Sequence, residues 1–167
     1  MIKSMGITKE NWEQCIMLNP NKMGKVNVVN KFVDSVAYSL VWGFMEGLTA
    51  RAIYDDEILV GFTMYGFCEE VSDYKIYSVL IDKNHQGKGY GRRVLEHLIN
   101  DIKKIPGCND IYLTFNPENL RAKGLYESLG FKNTGKKFRL PELVRKDIYG
   151  EEYDDKNDEY LYSLNIR

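Results

Sequence analysis

The sequence is short of the features that mark specialised classes of protein. Its three cysteines, Cys15, Cys68 and Cys108, are an odd number at wide spacing. They form neither a CxxC pair nor a disulfide framework, so free thiols in a reducing cytosol are expected. Each is expected to act as a small core residue rather than as a nucleophile. There are only two histidines, and the sequence offers no metal site. No apolar run approaches the ~18 residues of a membrane helix. The opening Met1-Ile2-Lys3-Ser4-Met5-Gly6 lacks the apolar stretch of a signal peptide. A net charge of −1 provides no field to draw in nucleic acid or an anionic membrane. Internal repeats and low-complexity linkers are also missing, and 167 residues fit a single domain over 1–167 with a sizeable core.

What is present is patterned. Residues 8–18 read as a short helix with Thr8 as N-cap and with Trp12, Cys15, Ile16 and Leu18 near one face. From Val28 to Phe44, apolar residues recur at three- and four-residue steps, predicting one amphipathic helix. Residues 51–54 and 58–67 form a hairpin around Asp55-Asp56-Glu57, and a strand runs from Tyr74 to Asp82. Helical spacing returns at Val94, Leu95, Leu98, Ile99 and Ile102 and stops at Pro106-Gly107. A buried strand at 110–115, a short helix at 120–129 closed by Gly130, a strand from Phe131 and a last strand at 159–166 complete the order. The class is α+β with a mixed sheet of about six to seven strands and about four helices. Residues 74–115 form a βαβ crossover, so its two strands run parallel.

Chemistry concentrates between the strand ending at Asp82 and the helix that follows. Gln86-Gly87-Lys88-Gly89-Tyr90-Gly91 is a glycine-rich loop opening into a helix N-terminus, where free N–H groups and the helix dipole favour an anion. Lys88, Arg92 and Arg93 add positive charge. The G-x-G-x-G spacing does not match the G-x-G-x-x-G dinucleotide fingerprint, and no G-x-x-x-x-G-K-[ST] is present.

The stretch Leu80–Gly91, with Gln86, Gly89 and Gly91 in the fixed positions, resembles motif A of the GNAT N-acetyltransferases. Asn119 followed by Leu125-Tyr126-Glu127-Ser128-Leu129-Gly130-Phe131 resembles that family's second signature. The resemblance implies the GNAT fold across the whole chain, acetyl-CoA as co-substrate and a small-molecule amine as acceptor. It implies that Val79, Leu80 and Ile81 bond the pantetheine arm. Gln86, Gly87, Lys88, Gly89, Tyr90, Gly91 and Arg92 would hold the pyrophosphate, and Asn119 would bond the pantetheine region or simply cap its helix. Arg121 and Lys123 are expected as solvated helix charges within reach of the adenosine phosphate. Tyr126 is implied to be the general acid that protonates the leaving thiolate, against the plain reading of a core aromatic. Where several relatives carry a carboxylate base, this chain has Tyr77, which leaves Glu69, Glu70 and Asp73 as bases acting through water or as a solvated turn. His85 and His97 are expected to face solvent.

Phe32-Val33-Asp34-Ser35, Ala52–Asp56 with Leu59–Phe62, and the glycine loop are similar to the bacterial spermine/spermidine (diamine) acetyltransferases. That resemblance implies a polyamine acceptor, which the acids and tyrosines of 149–160 would suit. An aminoglycoside, an amino-acid derivative or a protein N-terminus remain open as acceptors. So does a non-catalytic acyl-CoA sensor. A homodimer is a further implication of the family, and a cytoplasmic location follows from the cysteines.

Overall fold

The computed structural model describes residues 1–20, 35–116, 118–139 and 158–167. Seven strands form one sheet: β1 (Ile2–Gly6), β2 (Thr49–Asp55), β3 (Ile58–Cys68), β4 (Asp73–Ile81), β5 (Asp110–Phe115), β6 (Lys132–Phe138) and β7 (Glu159–Asn165). The described helices are α1 (Trp12–Ile16), α2 (Val36–Met45), α3 (Tyr90–Ile102) and α4 (Leu120–Ser128). The strand order is β1-β2-β3-β4-β5-β7-β6. Every neighbouring pair is antiparallel except β4 and β5, which the α3 crossover makes parallel. No helix among the described residues is long and apolar enough to cross a membrane.

Alternation along the strands divides the core. Ile76, Ile111, Leu113 and Phe115 pack with Leu95, Leu98, Ile99 and Ile102 of α3. Phe62, Met64 and Leu80 pack with Cys15 of α1 and Val36 of α2. The five apolar residues that define α3 in the sequence are all buried. At roughly 1.5–3 kcal/mol per buried side chain, they fix the helix on the sheet and so fix where its N-terminus points.

Three expectations change. The chain opens with a strand not anticipated from the sequence: β1 pairs with β2 at the sheet edge, where half-buried positions need little hydrophobicity. The first helix shortens to Trp12–Ile16, because residues 8–11 are taken up by a turn in which Asn11 Oδ1 accepts from Thr8 N–H at 2.8 Å. Trp12 consequently stays exposed while Cys15 is fully buried. The single helix expected over 28–44 starts only after Ser35, whose backbone is extended and whose hydroxyl accepts from Tyr38 N–H at 3.1 Å as an N-cap. Residues 21–34, including Phe32, Val33 and Asp34, lie outside the described residues, as does most of the acidic stretch 149–160.

Candidate functional site

Pairing between β4 and β5 covers only Tyr74–Ile76 against Ile111–Leu113. Beyond that the two strands separate, although β4 runs on to Ile81 and stays paired with β3. The register with β3 slips between Met64 and Tyr65, leaving Tyr77 as an extra residue on β4 at the point of separation. A bulge there increases local twist and turns β4 away from β5. Asp82 N–H bonds Val60 O at 3.0 Å. By antiparallel alternation, Leu80 then also faces β3, while the peptide groups of Val79 and Ile81 face the gap. Of the three backbone positions expected at the site, two therefore point into it, and Leu80 is committed to the sheet.

The gap leads into the glycine-rich loop. Asp82, buried, accepts from Asn19 N–H at 3.0 Å and Asn84 N–H at 2.9 Å. Gln86 donates its side-chain amide to Ile81 O at 3.0 Å and to Pro20 O at 2.6 Å. The fixed glutamine of the motif thus clamps the loop to the strand end and to the segment beside it. Gly87 and Gly89 both have φ of +80°, and a Cβ at either would meet nothing within 4 Å. Glycine is used at these positions to reach a left-handed turn, with the concave side left open. Gly89 is the N-cap of α3 and has no side chain to satisfy the first-turn N–H groups.

Side chains around the loop are mostly committed elsewhere. Tyr90 donates to Asp55 at 2.9 Å, and Arg93 pairs with the same carboxylate at 3.1 Å. The hydrogen bonds from Met1 and Tyr90 hold Asp55 well below the usual carboxylate range. Arg92 reaches Ser128 on α4 and Glu96, and Lys88 folds back onto Asn84 O at 2.9 Å. What the loop offers an anion is mainly backbone N–H.

The wall opposite β4 is α4. Asn119 Oδ1 accepts from Ala122 N–H at 3.0 Å, so it caps the helix, and it also lines the cleft. At the other end Phe131 N–H bonds Tyr126 O at 3.1 Å and Gly130 N–H bonds Glu127 O at 3.0 Å, with Gly130 at φ +93°. This pair of bonds is the Schellman termination, with Tyr126 and Phe131 at the two positions that make its hydrophobic contact. Their rings lie 6.1 Å apart, and Phe115 is 5.3 Å from Tyr126. The Y-x-x-x-G-F spacing is thus the spacing of a helix cap, and it holds the Tyr126 ring at the cleft. Burial, with a smaller contribution from Glu159, pushes its phenol up to about 12. The hydroxyl makes no hydrogen bond among the described residues.

The cleft holds about 640 Å³. All the site residues read from the sequence line it except Lys88. Arg121 lines it too, whereas Lys123 sits 3.9 Å from Glu127. His85 does not simply face solvent: it lines the cleft, edge-on to Tyr90 at 5.9 Å. His97 is partly buried, 3.3 Å from Asp101. Asp73 is excluded as a base acting through water. Its buried carboxylate accepts from Tyr74, Asn109 and Asp110 N–H groups, tying β4 to the start of β5. Glu69 and Glu70 are exposed in the preceding turn. Tyr77 packs edge-on to Trp42 at 5.4 Å, and burial pushes its phenol far up. One ionisable group escaped the sequence reading, Lys75, and one acid of the 149–160 stretch, Glu159, falls among the described residues. Lys75 is 4% exposed, with Nζ 3.7 Å from the Phe138 ring centre. Glu159 opposes Phe138 in the β6–β7 register, and burial raises its pKa against the opposing influence of Thr114 and Lys75.

Known proteins resemble this chain in part and in whole. The spermine/spermidine N(1)-acetyltransferase of Bacillus subtilis is 38% identical over 89 residues, 50% of this chain and 59% of that protein. The [ribosomal protein bS18]-alanine N-acetyltransferase of Escherichia coli is 39% identical over 56 residues, 34% of this chain and 37% of that one. The chain thus spans well under two thirds of the curated relatives it matches. The fold is that of the spermidine N-acetyltransferase from Vibrio cholerae, solved with CoA and spermine. That structure superposes with a TM-score of 0.67 at 16% identity, covering 98% of this chain and 95% of that one. Residues 32–131 match the model of the acetyltransferase (GNAT) family, and the chain belongs to that family.

Proposed function

We propose that this chain transfers an acetyl group from acetyl-CoA to a primary amine, and that the amine is a small polyamine. The observation that carries the reading is the end of β4–β5 pairing at Ile76 and Leu113, with the gap running into the glycine loop. A pantetheine arm carries amides, and the peptide groups of Val79 and Ile81 present the complementary edge. The N–H groups from Gly87 to Arg92 suit a pyrophosphate, which a helix N-terminus holds without needing side chains. Acetyl-CoA supplies the activated acyl group. Tyr126 is placed to protonate the departing thiolate: it lines the cleft, and burial keeps its phenol protonated at neutral pH. The polyamine acceptor is supported by the Bacillus relative and by the tyrosines and carboxylates in the sequence of 149–160.

A second acceptor class has its own support, because a protein N-terminus is what the Escherichia coli relative's name specifies. One experiment separates the two: thiol release from acetyl-CoA with spermidine, spermine, an aminoglycoside, an amino-acid amide and an alanine-initiated peptide. Turnover with the polyamines at least about tenfold faster, a difference of ~1.4 kcal/mol, is the expected result. Preference for the peptide would replace the polyamine. No release with any amine, despite the ~2.7 kcal/mol of stabilisation that saturating ligand at ~100 Kd provides, would leave an acyl-CoA sensor.

A further inference from the structure

Transfer to an ammonium requires a base, and the position where relatives carry one holds Tyr77. We propose that Glu159 is the general base, taking a proton from the acceptor ammonium at the apex of the β4–β5 gap. This rests on the acetyl-transfer reading above and names a residue for it.

The placement comes from the registers. Leu113 is the last β5 residue paired with β4, so Thr114 is the first to stand free at the gap. Glu159 begins β7, where Tyr160 pairs with Phe115 and Leu161 with Thr114. The Thr114 hydroxyl is close enough to the carboxylate to favour its charged form. Glu159 therefore sits one strand away from where β4 and β5 part, and its charge is felt at the Tyr126 phenol across the gap.

The surroundings suit a base. Phe138 of β6 stands opposite Glu159 in the register, and Lys75 on β4, Thr114 on β5 and Tyr126 on α4 lie within its electrostatic reach. Burial raises its pKa, while Thr114 and the Lys75 cation oppose that rise. Burial also lowers the pKa of Lys75, whose amine sits between the rings of Tyr77 and Phe138. Such a carboxylate is a better proton acceptor than a solvated one, and it is only partly buried, so its proton can leave to water. Lys75 lies on the part of β4 still paired with β5, opposite Tyr112, and is a positioning residue.

The step balances. The ammonium gives one proton to Glu159, which passes it to solvent. The freed nitrogen lone pair forms the C–N bond to the acetyl carbon as the C–S bond breaks. Tyr126 donates its proton to the sulfur and recovers one from the new amide nitrogen. Net products are the acetylamine, free CoA thiol and one proton.

The test compares Glu159→Gln with the parent protein on spermidine and on hydroxylamine, which is neutral near pH 7 and needs no deprotonation. The expected result is a loss of about 10²-fold in kcat/KM for spermidine, with loss of the low-pH limb of its profile. Hydroxylamine turnover and CoA affinity should change little. Equal losses on both nucleophiles, or an intact low-pH limb, would overturn the proposal. Lys75→Met provides a second measurement: removing the cation should move that limb to higher pH, and a limb that stays put or moves down counts against Glu159. If Glu159→Gln shows no CoA-dependent rise in melting temperature, Glu159→Asp takes its place with the same readouts. Parent protein inactive on every amine would instead refute acetyl transfer itself.

Discussion

One substitution made twice on one helix should have opposite effects. Gly124 lies in the interior of α4, exposed, and a Cβ there meets nothing within 4 Å. Alanine at this position removes backbone freedom from the unfolded chain and should stabilise the protein by ~0.5–1 kcal/mol. Gly130 ends the same helix at φ +93°. A side chain in that left-handed region costs ~1–2 kcal/mol. Its Cβ would stand 3.3 Å from Leu164 Cδ1, the far end of a flexible side chain that can yield cheaply. The gain from a stiffer unfolded chain, ~0.4–1 kcal/mol, offsets part of this, leaving a net loss of ~1 kcal/mol. Gly124→Ala and Gly130→Ala should thus differ by ~2 kcal/mol, or roughly 4–8 °C in melting temperature at this chain length. Ligand-free thermal melts followed by circular dichroism measure it. Turnover should also fall in Gly130→Ala, because the cap it disturbs holds the Tyr126 carbonyl, while Gly124→Ala keeps parental rates. Two variants melting together, or Gly130→Ala melting higher, would refute the assignment of the signature glycine to the helix cap.

Three further outcomes are expected. Tyr126→Phe should lower kcat by about 10²-fold or more while calorimetric CoA affinity stays near parental; unchanged turnover removes Tyr126 from its role. Gly87→Ala should weaken CoA binding by about 10- to 100-fold, as turning one or two loop N–H groups away loses ~1.5–3 kcal/mol; parental affinity by titration would show that the loop does not cradle the pyrophosphate. Asp73→Asn exchanges an acceptor for a donor facing backbone N–H groups and should cost ~1.5–3 kcal/mol of stability in urea melts, with parental kcat; a collapse of kcat at parental stability would restore Asp73 as a base.

The sequence made local chemistry legible and long-range juxtaposition invisible. The glycine loop, the α3 stripe and the Tyr126–Phe131 cap are each specified within a dozen residues, and each forms where the spacing places it. β1 escaped because Ile-Lys-Ser-Met-Gly on a sheet edge needs no strong alternation. The helix start at Ser35 was hidden by apolar spacing in the sequence on both sides of it, since periodicity does not register a capping hydroxyl. Asp73 read as one acid among three, and only the arrival of β5, carried there by the crossover, gives it backbone N–H partners. Lys75 and Glu159 are 84 residues apart in the chain. No local pattern announces that β6 and β7 bring a carboxylate to a buried lysine.

The parting of β4 and β5 also bears on solubility. An unpaired strand edge is ordinarily an invitation to another chain, and proteins blunt such edges with charge, bulges or covering segments. Here the open edge lies inside the sheet, bounded by β5 on one side and walled by α4 on the other. A foreign strand would have to bring side chains on both faces into that enclosure, and a thin linear chain of amides has none to bring. The protein can therefore leave hydrogen-bonding backbone permanently exposed to its ligand without exposing it to copies of itself.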